Sequence, residues 1–459
     1  MNEADSEKLA RELEGRGMTP STSMEVADYI VLNTCSVRAA AEEKTFGKLG
    51  ELKSLKRRRP EVTIAVGGCM VGADHSELAK RAPHVDEFFR PIQFDAFLKR
   101  VDNSVPPTPS RPVAMPIALA MDMKATPFTA EVGEGCIVEP PPRPGSIAHP
   151  NRPARWLSII NGCNRACTYC IVPARRGHED SRPVDELVRE TRGLVADGAH
   201  EVTLLGQIVD RYGRDLPEKR DLADLFEALG EIDGLWRIRF LTSHPADMTE
   251  RIIDSIARHP KVCEHVNIPV QSGHDDMLRR MKRGYGVDLY LKLIDKLRDR
   301  IPNVALATDI IVGMCGETDV EFQASLDLLE RVRFDVVHVA MYSPRPGTRA
   351  AEWEDDIPHA VKRERLHAVE RVQERIATEI NAPLLNQTVE VLVETTRKGR
   401  WEGRTRTNKL VFFDHEENWL GRMANVRIEK TSPWSLQGSV ESESTESLYS
   451  QRGLALPLG

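Results

Sequence analysis

Residues 156–170 read WLSIINGCNRACTYC and join an apolar, strand-like run to three closely spaced cysteines, Cys163, Cys167 and Cys170. Iron–sulfur clusters that only carry electrons are usually held by four cysteine thiolates. Three thiolates bind three irons of a four-iron cluster and leave the fourth iron open for another ligand. The spacing therefore indicates a cluster that binds a small molecule and does chemistry on it.

Two other kinds of site could use the same cysteines. A structural zinc site needs a fourth ligand, and His178 is the nearby histidine in the sequence. A fragment of a ferredoxin-like site is the second alternative. Because the identity of a metal depends on the type and number of its ligands, both alternatives stay open on the cysteines alone.

The composition limits the class of protein. The chain has 459 residues, eight cysteines and a formal net charge of −7, a length that suits about three domains of roughly 150 residues. Three grouped cysteines in so long a chain indicate metal ligands in a reducing compartment rather than a disulfide framework. No apolar run reaches the roughly 20 residues of a membrane span, and the acidic start is unlike a signal peptide. We expect a cytoplasmic protein with no membrane partner.

Proline-rich stretches and changes of composition divide the chain, because such stretches resist helix and sheet. The last segment, around Ser439–Ser447, is too polar to bury a core and predicts disorder. The expected parts are an N-terminal doubly wound α/β domain over 1–103, a proline-rich linker over 104–153, a core over 154–380, a small β-rich domain over 381–434 and a disordered tail over 435–459.

Within the core, short β-branched runs alternate with amphipathic stretches. The predicted strands are Trp156–Ile160, Glu201–Leu205, Arg237–Leu241, His265–Val270, Ala305–Val312 and Val336–Tyr342. The predicted helices include Val184–Ala196, Met248–Arg258, Asp288–Arg300 and Glu317–Arg331. Strands that alternate with helices predict a parallel sheet with right-handed crossovers. We expect a partial (β/α)6 barrel, with an open doubly wound sheet as the alternative.

Chemistry in a parallel α/β sheet lies at the carboxyl ends of the strands, where the cysteine loop begins. Gly206 and Gln207 follow the second strand, Ser243 follows the third and Gln271 follows the fourth. These residues offer close approach and neutral polar groups, although both glutamines could instead hold loops at the strand ends. Asp309 lies inside an apolar strand, where a charged group must be paired or functional.

Cys35 and Cys69 each end a strand-like run, Tyr29–Thr34 and Thr63–Gly68. A lone cysteine is more often a small buried apolar residue, but two in matched positions indicate joint ligation of a second metal site. Cys136, Cys263 and Cys315 share no such pattern, and we interpret them as structural.

Several motifs together resemble the radical S-adenosylmethionine (SAM) methylthiotransferases. The motifs are Asn33–Arg38, Gly67–Met70, Gly162–Pro173, Arg176–Pro183 and Thr308–Gly313. Within that family, the chain looks most like the tRNA 2-methylthio-N6-isopentenyladenosine synthases at Leu204–Gln207, Ser243–Pro245, Pro269–Gly273 and Tyr342–Thr348. Cys315 departs from the family, which usually has proline there.

The resemblance implies two [4Fe-4S] clusters and SAM. Cys163, Cys167 and Cys170 would hold the cluster that binds SAM, with Tyr169 and the strand-end residues Gly206, Gln207, Ser243, Gln271 and Asp309 near the cofactor. Cys35 and Cys69 would hold the auxiliary cluster. The third cysteine of that cluster in the family precedes an element that corresponds here to Met1–Glu7, so we expect it upstream of Met1, together with a first strand.

The activity that the resemblance implies is the methylthiolation of C2 of an N6-isopentenyladenosine next to the anticodon of a tRNA. Sulfur would come from the auxiliary site and the methyl group from a second SAM. The expected partners are tRNA and donors of electrons and sulfur that the sequence does not identify, and we expect a monomer. The alternatives are a sister enzyme acting on threonylcarbamoyl-adenosine or a ribosomal protein, and a non-catalytic iron–sulfur protein that binds RNA or carries electrons.

The stretch from Arg397 to Lys409 is strongly basic and lies between predicted strands in the small C-terminal domain. Basic side chains beside an aromatic ring suit phosphate contact and base stacking, and the family carries an RNA-binding TRAM domain here. The predicted RNA contacts are Arg397, Lys398, Arg400, Trp401, Arg404, Arg406 and Lys409. A solvated hairpin is the alternative.

Overall fold

The computed structural model describes residues 1–21, 23–34, 39–72, 74–91, 93–104, 114–115, 117–118 and 152–443. The chain forms two compact units, one of Met1–Pro150 with Ile171–His178 and one of Asn151–Cys170 with Glu179–Gly459. Across the described ranges, no helix combines the length and the apolar character that a membrane crossing requires.

The first unit is built on a parallel four-stranded sheet of order β4-β3-β2-β6. Its elements are α1 (Asn2–Glu14), β1 (Thr19–Pro20), β2 (Tyr29–Thr34), α2 (Ala39–Arg58), β3 (Thr63–Gly68), α3 (Ser76–Arg81), β4 (Glu87–Phe89), α4 (Asp95–Ser104), β5 (Ala114–Met115), β6 (Ile117–Ala118) and α5 (Val172–Arg176). The side chains of β2 alternate between two apolar clusters, one with Leu52 of α2 and one with Phe97 of α4. Helices cover both faces, which confirms a doubly wound domain.

Two short strands lie inside the stretch that was predicted to be a linker. Ile117–Ala118 pairs in parallel with β2, and Ala114–Met115 pairs in parallel with β1. An open strand edge presents unpaired N–H and C=O groups, and β6 covers that edge of β2. Part of the predicted linker therefore belongs to the sheet, while most of the proline-rich stretch lies outside the described residues.

The second unit contains six parallel strands in sequential order. Its elements up to the last long helix are β7 (Ala154–Ser158), β8 (Ile160–Asn161), β9 (Asp180–Ser181), α6 (Val184–Ala196), β10 (Glu201–Leu205), α7 (Leu222–Gly230), β11 (Arg237–Phe240), α8 (Glu250–Arg258), β12 (His265–Asn267), α9 (Asp275–Arg280), α10 (Val287–Arg300), β13 (Ala305–Val312), α11 (Asp319–Val332), β14 (Val336–Met341) and α12 (His359–Asn381). The sheet β7-β10-β11 continues into β12-β13-β14 through a parallel bridge between Ile238 and Val262.

Sequential order separates this sheet from the alternative, because a doubly wound sheet reverses its strand order partway. The partial (β/α)6 barrel is therefore confirmed, and the open sheet is wrong for this unit. Every residue of β10 is buried, as expected for a strand with helices on one face and a filled interior on the other.

Two helices begin two residues later than predicted. The hydroxyl of Thr249 accepts a hydrogen bond from the Ile252 N–H, and the hydroxyl of Thr318 accepts one from the Glu321 N–H. A threonine that caps a helix end has an extended backbone and stands before the first helical residue. These caps fix the starts of α8 at Glu250 and α11 at Asp319.

The C-terminal part is a closed five-stranded barrel. The strands are β15 (Thr388–Arg397), β16 (Arg400–Arg404), β17 (Leu410–Phe413), β18 (Met423–Thr431) and β19 (Leu436–Glu443), and their order is β15-β16-β17-β19-β18. The prediction that the tail begins at residue 435 is wrong for residues 436–443. Those residues pair with both β17 and β18, and this pairing closes the barrel, with Leu436 buried in its core although most of the strand is polar or glycine.

Candidate active site

The three cysteines follow the first barrel strand, at its carboxyl end. Gly162 turns the chain with a φ of 69° immediately after β8. Cys163 is buried, while Cys167 and Cys170 are half-buried, and the Cys170 N–H donates to the Cys167 carbonyl at 3.1 Å. Burial raises the pKa of the Cys163 thiol above its ordinary value. The structure therefore presents three thiols from one short loop where the sequence predicted them.

Thr168 anchors this loop to other parts of the barrel. Its N–H donates to the Met281 carbonyl at 3.1 Å, and its hydroxyl donates to the Arg280 carbonyl at 3.0 Å. Its own carbonyl accepts from the Ala350 N–H at 2.9 Å. The loop is thus fixed at its centre, between its second and third cysteines.

A buried arginine lies against one of the thiols. Arg283 Nη1 is 3.4 Å from Cys167 Sγ, and the residue is 6% exposed. Its Nη2 donates to the Pro269 carbonyl at 3.0 Å, and its Nε donates to the Tyr285 hydroxyl at 2.9 Å. Burial opposes the charge of Arg283, but Tyr169, Tyr285 and Cys167 together raise its pKa above the ordinary value.

Tyr169 lies between that arginine and an apolar patch. Its hydroxyl is 3.5 Å from Arg283 Nη1, and its ring packs against a cluster that includes Met281 and Met314. Burial raises the pKa of Tyr169 well above its ordinary value, so the phenol stays neutral. The same cluster contains Cys315, which is consistent with a structural role for that thiol.

The predicted strand-end residues fall into two groups. Gly206 allows a close approach, because a Cβ at that position would lie 2.4 Å from Ile160 Cγ2. Gln207 is half-buried beside it. Gly206 is thus explained by packing against the strand that leads to the cysteine loop.

Ser243 and Asp309 both contact Asn267, a residue that the sequence did not single out, and Gln271 contacts Asp309. The Asn267 carbonyl accepts from the Ser243 N–H at 3.0 Å, and its side-chain Nδ2 is 3.4 Å from Asp309 Oδ2. Gln271 has a φ of 76°, and its N–H donates to the Asp309 carbonyl at 2.8 Å. Asn267 is the last residue of β12, and its place at a strand end is the signal that could have revealed it.

A charged network, also missed by the sequence analysis, ties the cysteine loop to the next two strand ends. Asp247 is buried and pairs with Arg165 of the loop, and it also lies 3.2 Å from Arg211 Nη1. Arg211 Nε lies 2.6 Å from Glu179, whose carboxylate accepts from the Asn164 N–H at 3.1 Å. The sequence gives little signal for it, because its members come from separate loops.

Two further buried groups with shifted pKa values stand beside this network. Burial lowers the pKa of His244 to about 3, so the imidazole is neutral at physiological pH. Burial raises the pKa of Asp210 to about 7, although its carboxylate accepts from the His244 N–H at 2.7 Å. At neutral pH, His244 is therefore uncharged and the Asp210 carboxyl group is only partly ionised.

In the first unit, Cys69 follows β3 and is buried. Its N–H donates to the carbonyl of Thr34 at 2.9 Å, and Thr34 ends β2. Arg176 Nε lies 3.4 Å from Cys69 Sγ, and Arg176 Nη2 lies 2.8 Å from Asp5 Oδ2. Cys35 lies outside the described residues, so its predicted joint ligation with Cys69 stays a prediction.

The predicted RNA-binding residues separate into two sets. Lys398 and Gly399 both have positive φ values and form the two-residue turn between β15 and β16, which leaves Arg397 and Lys398 exposed. Arg400 lies 3.1 Å from Asp414, and Trp401 Nε1 donates to the His415 carbonyl at 3.1 Å. This first set lies at the outer end of the hairpin.

The second set joins the small barrel to the large one. Arg406 is buried and pairs with Glu264 at 2.8 Å, and Lys409 pairs with Asp335 at 2.8 Å. The Arg404 carbonyl accepts from Arg237 Nη1 at 2.8 Å. Burial contradicts the prediction of RNA contact for Arg406, while the contact predicted for Lys409, whose ammonium group pairs with Asp335, stays a prediction.

The division into parts agrees with the sequence profiles of three families. The sequence profile of the Radical SAM superfamily matches residues 157–329, that of the Uncharacterized protein family UPF0004 matches residues 1–90, and that of the TRAM domain matches residues 384–440. A solved structure of the radical S-adenosylmethionine methyltransferase TsrM from Kitasatospora setae is similar at 14% identity, over 71% of this chain and 74% of that chain, with a TM-score of 0.44.

Two curated relatives match over nearly the whole chain. A protein of Herpetosiphon aurantiacus is 46% identical over 448 residues, which are 96% of this chain and 95% of that protein. A protein of Roseiflexus sp. is 47% identical over 451 residues, 95% of this chain and 87% of that protein. Both are named tRNA-2-methylthio-N(6)-dimethylallyladenosine synthase, and the family resemblance is confirmed. The chain belongs to the radical SAM methylthiotransferases, in the branch whose members carry that name.

Proposed function

We propose that this protein methylthiolates C2 of N6-isopentenyladenosine next to the anticodon of tRNA, with SAM and [4Fe-4S] clusters as cofactors. The observation that carries the proposal is the loop of Cys163, Cys167 and Cys170 at the carboxyl end of the first barrel strand, in a chain similar over nearly its whole length to named synthases. The enzyme is a transferase of sulfur-containing groups.

The donor set at this loop fits a cluster with one open iron. Three thiols come from one loop, and Arg283 provides a positive charge 3.4 Å from one of them, which favours an anionic group of thiolates and iron. When bound, such a cluster supplies an open iron for the amino and carboxylate groups of SAM and the electron that cleaves its sulfonium. A radical is needed because C2 of adenosine carries no proton that an ordinary base could remove.

The residues of the chain hold, orient and shield the reactants. Cys163, Cys167 and Cys170 hold the cluster, and the anchors at Thr168 keep their loop in place. Asn267 and Gln271 offer neutral polar groups at and just after the end of β12, and Asp309 offers a carboxylate from within the neighbouring β13. These groups suit the amino group and the ribose of SAM, and the buried His244 adds no charge.

We assign the auxiliary cluster to Cys35 and Cys69. The burial of Cys69 and the cation of Arg176 at 3.4 Å from its sulfur support this assignment. The exposed hairpin at Arg397 and Lys398 is the proposed contact with tRNA phosphates. We also propose a cytoplasmic monomer that receives electrons and sulfur from separate donors.

The proposal is tested by incubating the anaerobically reconstituted full chain with a low-potential reductant, SAM, sulfide and tRNA that carries isopentenyladenosine without the methylthio group. We expect mass spectrometry of the digested nucleosides to show the methylthio product and to show 5′-deoxyadenosine. Cys167→Ala should lose both products. Cys69→Ala should keep 5′-deoxyadenosine and lose the methylthio group.

The alternatives give different outcomes in the same assay. Formation of 5′-deoxyadenosine without modification of this tRNA, but with modification of threonylcarbamoyl-adenosine tRNA or a ribosomal protein, would assign the chain to a sister substrate. A reconstituted protein that binds iron and tRNA but never cleaves SAM would instead be a non-catalytic iron–sulfur protein. Full methylthiolation by Cys69→Ala would refute the auxiliary assignment.

A further inference from the structure

Arg283 is placed so that each of its three side-chain nitrogens has a partner in the structure. Nε reaches the Tyr285 hydroxyl, Nη2 reaches the Pro269 carbonyl, and Nη1 reaches Cys167 Sγ. Pro269 follows the fourth barrel strand, and Tyr285 stands between α9 and α10. Together they fix the plane of the guanidinium. The remaining N–H group is therefore held toward the thiol by the fold rather than by a flexible side chain.

The supports of this guanidinium are themselves buried. The Tyr285 hydroxyl lies 3.0 Å from the Pro269 carbonyl and 2.9 Å from the Val270 carbonyl. Both Arg283 and Tyr285 are less than a tenth exposed. A buried cation is costly unless it is paired, and the sulfur that this one contacts is Sγ of Cys167, a cysteine of the proposed cluster.

We propose that Arg283 is a positioning residue that raises the reduction potential of the SAM-binding cluster through its N–H···S hydrogen bond to Cys167. This inference rests on the proposed function, since it requires a cluster at Cys163, Cys167 and Cys170. Hydrogen bonds to the sulfurs, nearby charge and burial are the means by which proteins set cluster potentials.

The direction of the effect follows from charge. Reduction adds one electron from an external one-electron donor to the cluster and its thiolates. A fixed N–H donor stabilises the more negative, reduced cluster more strongly than it stabilises the oxidised cluster. Exclusion of water strengthens that difference. Arg283 therefore favours the reduced state, which is the state that cleaves SAM, and makes it accessible to weaker donors.

The test is a redox titration of the full, reconstituted chain without tRNA. The reduced cluster is quantified by electron paramagnetic resonance, and its signal is assigned to the SAM-binding cluster because it changes when SAM is added. In Arg283→Gln, we expect the ratio of reduced to oxidised cluster at a fixed potential to fall about tenfold, which is 59 mV for a one-electron couple. Arg283→Lys keeps the charge but loses the fixed planar fork, so a smaller fall in the same direction is expected.

Tyr285→Phe is the matched control. It removes the hydroxyl that accepts from Arg283 Nε, and it keeps the Nη1–H group of Arg283 that faces Cys167 Sγ. Its potential should stay closer to that of the wild type than the potential of Arg283→Gln does. An unchanged potential in Arg283→Gln, at equal iron and sulfide content, would overturn the inference.

Two outcomes separate this inference from the function on which it rests. If Arg283→Gln fails to hold a cluster, the titration of Arg283→Lys decides, and a potential equal to that of the wild type would exclude the hydrogen bond as the cause. If the wild-type chain shows no SAM-sensitive signal at all, the proposed function fails rather than the role of Arg283.

Discussion

The residues of the active site differ in how far the sequence could predict them. The three cysteines are adjacent in the chain, so their spacing alone indicates a cluster. Arg283 lies far along the chain from Cys167, and Asp247 lies far from Arg165. Contacts between loops depend on how the barrel closes, and no local pattern records them. The positions of the three thiols were therefore predictable, and the charges that surround them were not.

His244 gives a prediction for the dependence of stability on pH. Its pKa is about 3 in the fold and about 6.5 when the chain is unfolded. The stabilisation that depends on a neutral His244 is thus complete above pH 6.5 and is lost as the pH falls toward 3. Between pH 7 and pH 5 the free energy of unfolding should fall by about 2 kcal/mol from this cause.

The measurement is urea unfolding of the cluster-free chain at pH 7 and pH 5, compared with His244→Gln, which cannot gain a proton. The decrease in the free energy of unfolding should be smaller in the variant. Equal decreases in the two proteins would show that His244 is protonated as readily in the fold as outside it.

At the scale of helices and strands, burial decides how well the sequence predicts structure. Glu201–Leu205 and Ala305–Val312 were predicted with the bounds that the structure shows, because both runs are mostly apolar, as is typical of strands buried on both faces. Leu436–Glu443 was predicted as disordered tail because its outer residues are serine and glutamate. Its strand exists because β17 and β18 offer it hydrogen-bond partners on both sides, which composition does not reveal.

The pair of Arg406 and Glu264 tests how firmly the strands of the small barrel are joined to the large one. Glu264→Ala leaves a buried guanidinium without its carboxylate, and breaking such a buried pair costs about 3 kcal/mol. We expect that loss in chemical unfolding, and a coupling energy of about 1–3 kcal/mol when Glu264→Ala and Arg406→Ala are combined in a double-mutant cycle.

The matched control is Glu330→Ala, which breaks an exposed pair with Arg375. Exposed pairs contribute little to stability, so that variant should unfold like the wild type. Additive effects of the Glu264 and Arg406 substitutions would mean that the two side chains are not energetically joined.

At the scale of the second unit, one end of the large barrel carries the cysteine loop and the other end contacts the small barrel. The cysteine loop lies at the carboxyl ends of the strands. Glu264 and Asp335, which hold Arg406 and Lys409, stand immediately before β12 and β14 at the opposite end. A basic stretch that resembles one RNA-binding loop is thus divided. Arg397 and Lys398 lie in an exposed hairpin, whereas Arg406 and Lys409 belong to the joint between the two barrels, where they pair with Glu264 and Asp335.

This division predicts how tRNA binding responds to salt. Lys398→Ala removes an exposed cation of the hairpin, so it should weaken tRNA binding and reduce the slope of log affinity against log salt concentration by about 1. Lys409→Ala removes a charge that is already paired with Asp335, so the slope should stay unchanged. Binding titrations over a series of KCl concentrations measure both slopes, and a loss of slope in Lys409→Ala alone would reverse the assignment.

The joint between the two barrels also constrains how this protein can change over evolutionary time. Arg237, Arg239 and Arg406 each reach across it to a carboxylate or to backbone carbonyls. Loss of one partner leaves a desolvated charge, whereas simultaneous replacement of both partners by apolar groups can be tolerated. Descendants of this chain should therefore exchange Arg406 with Glu264, and Arg237 with Glu390, as pairs. A small barrel taken from a distant relative should fit only when the large barrel supplies a matching carboxylate for its basic residue at the position of Arg406.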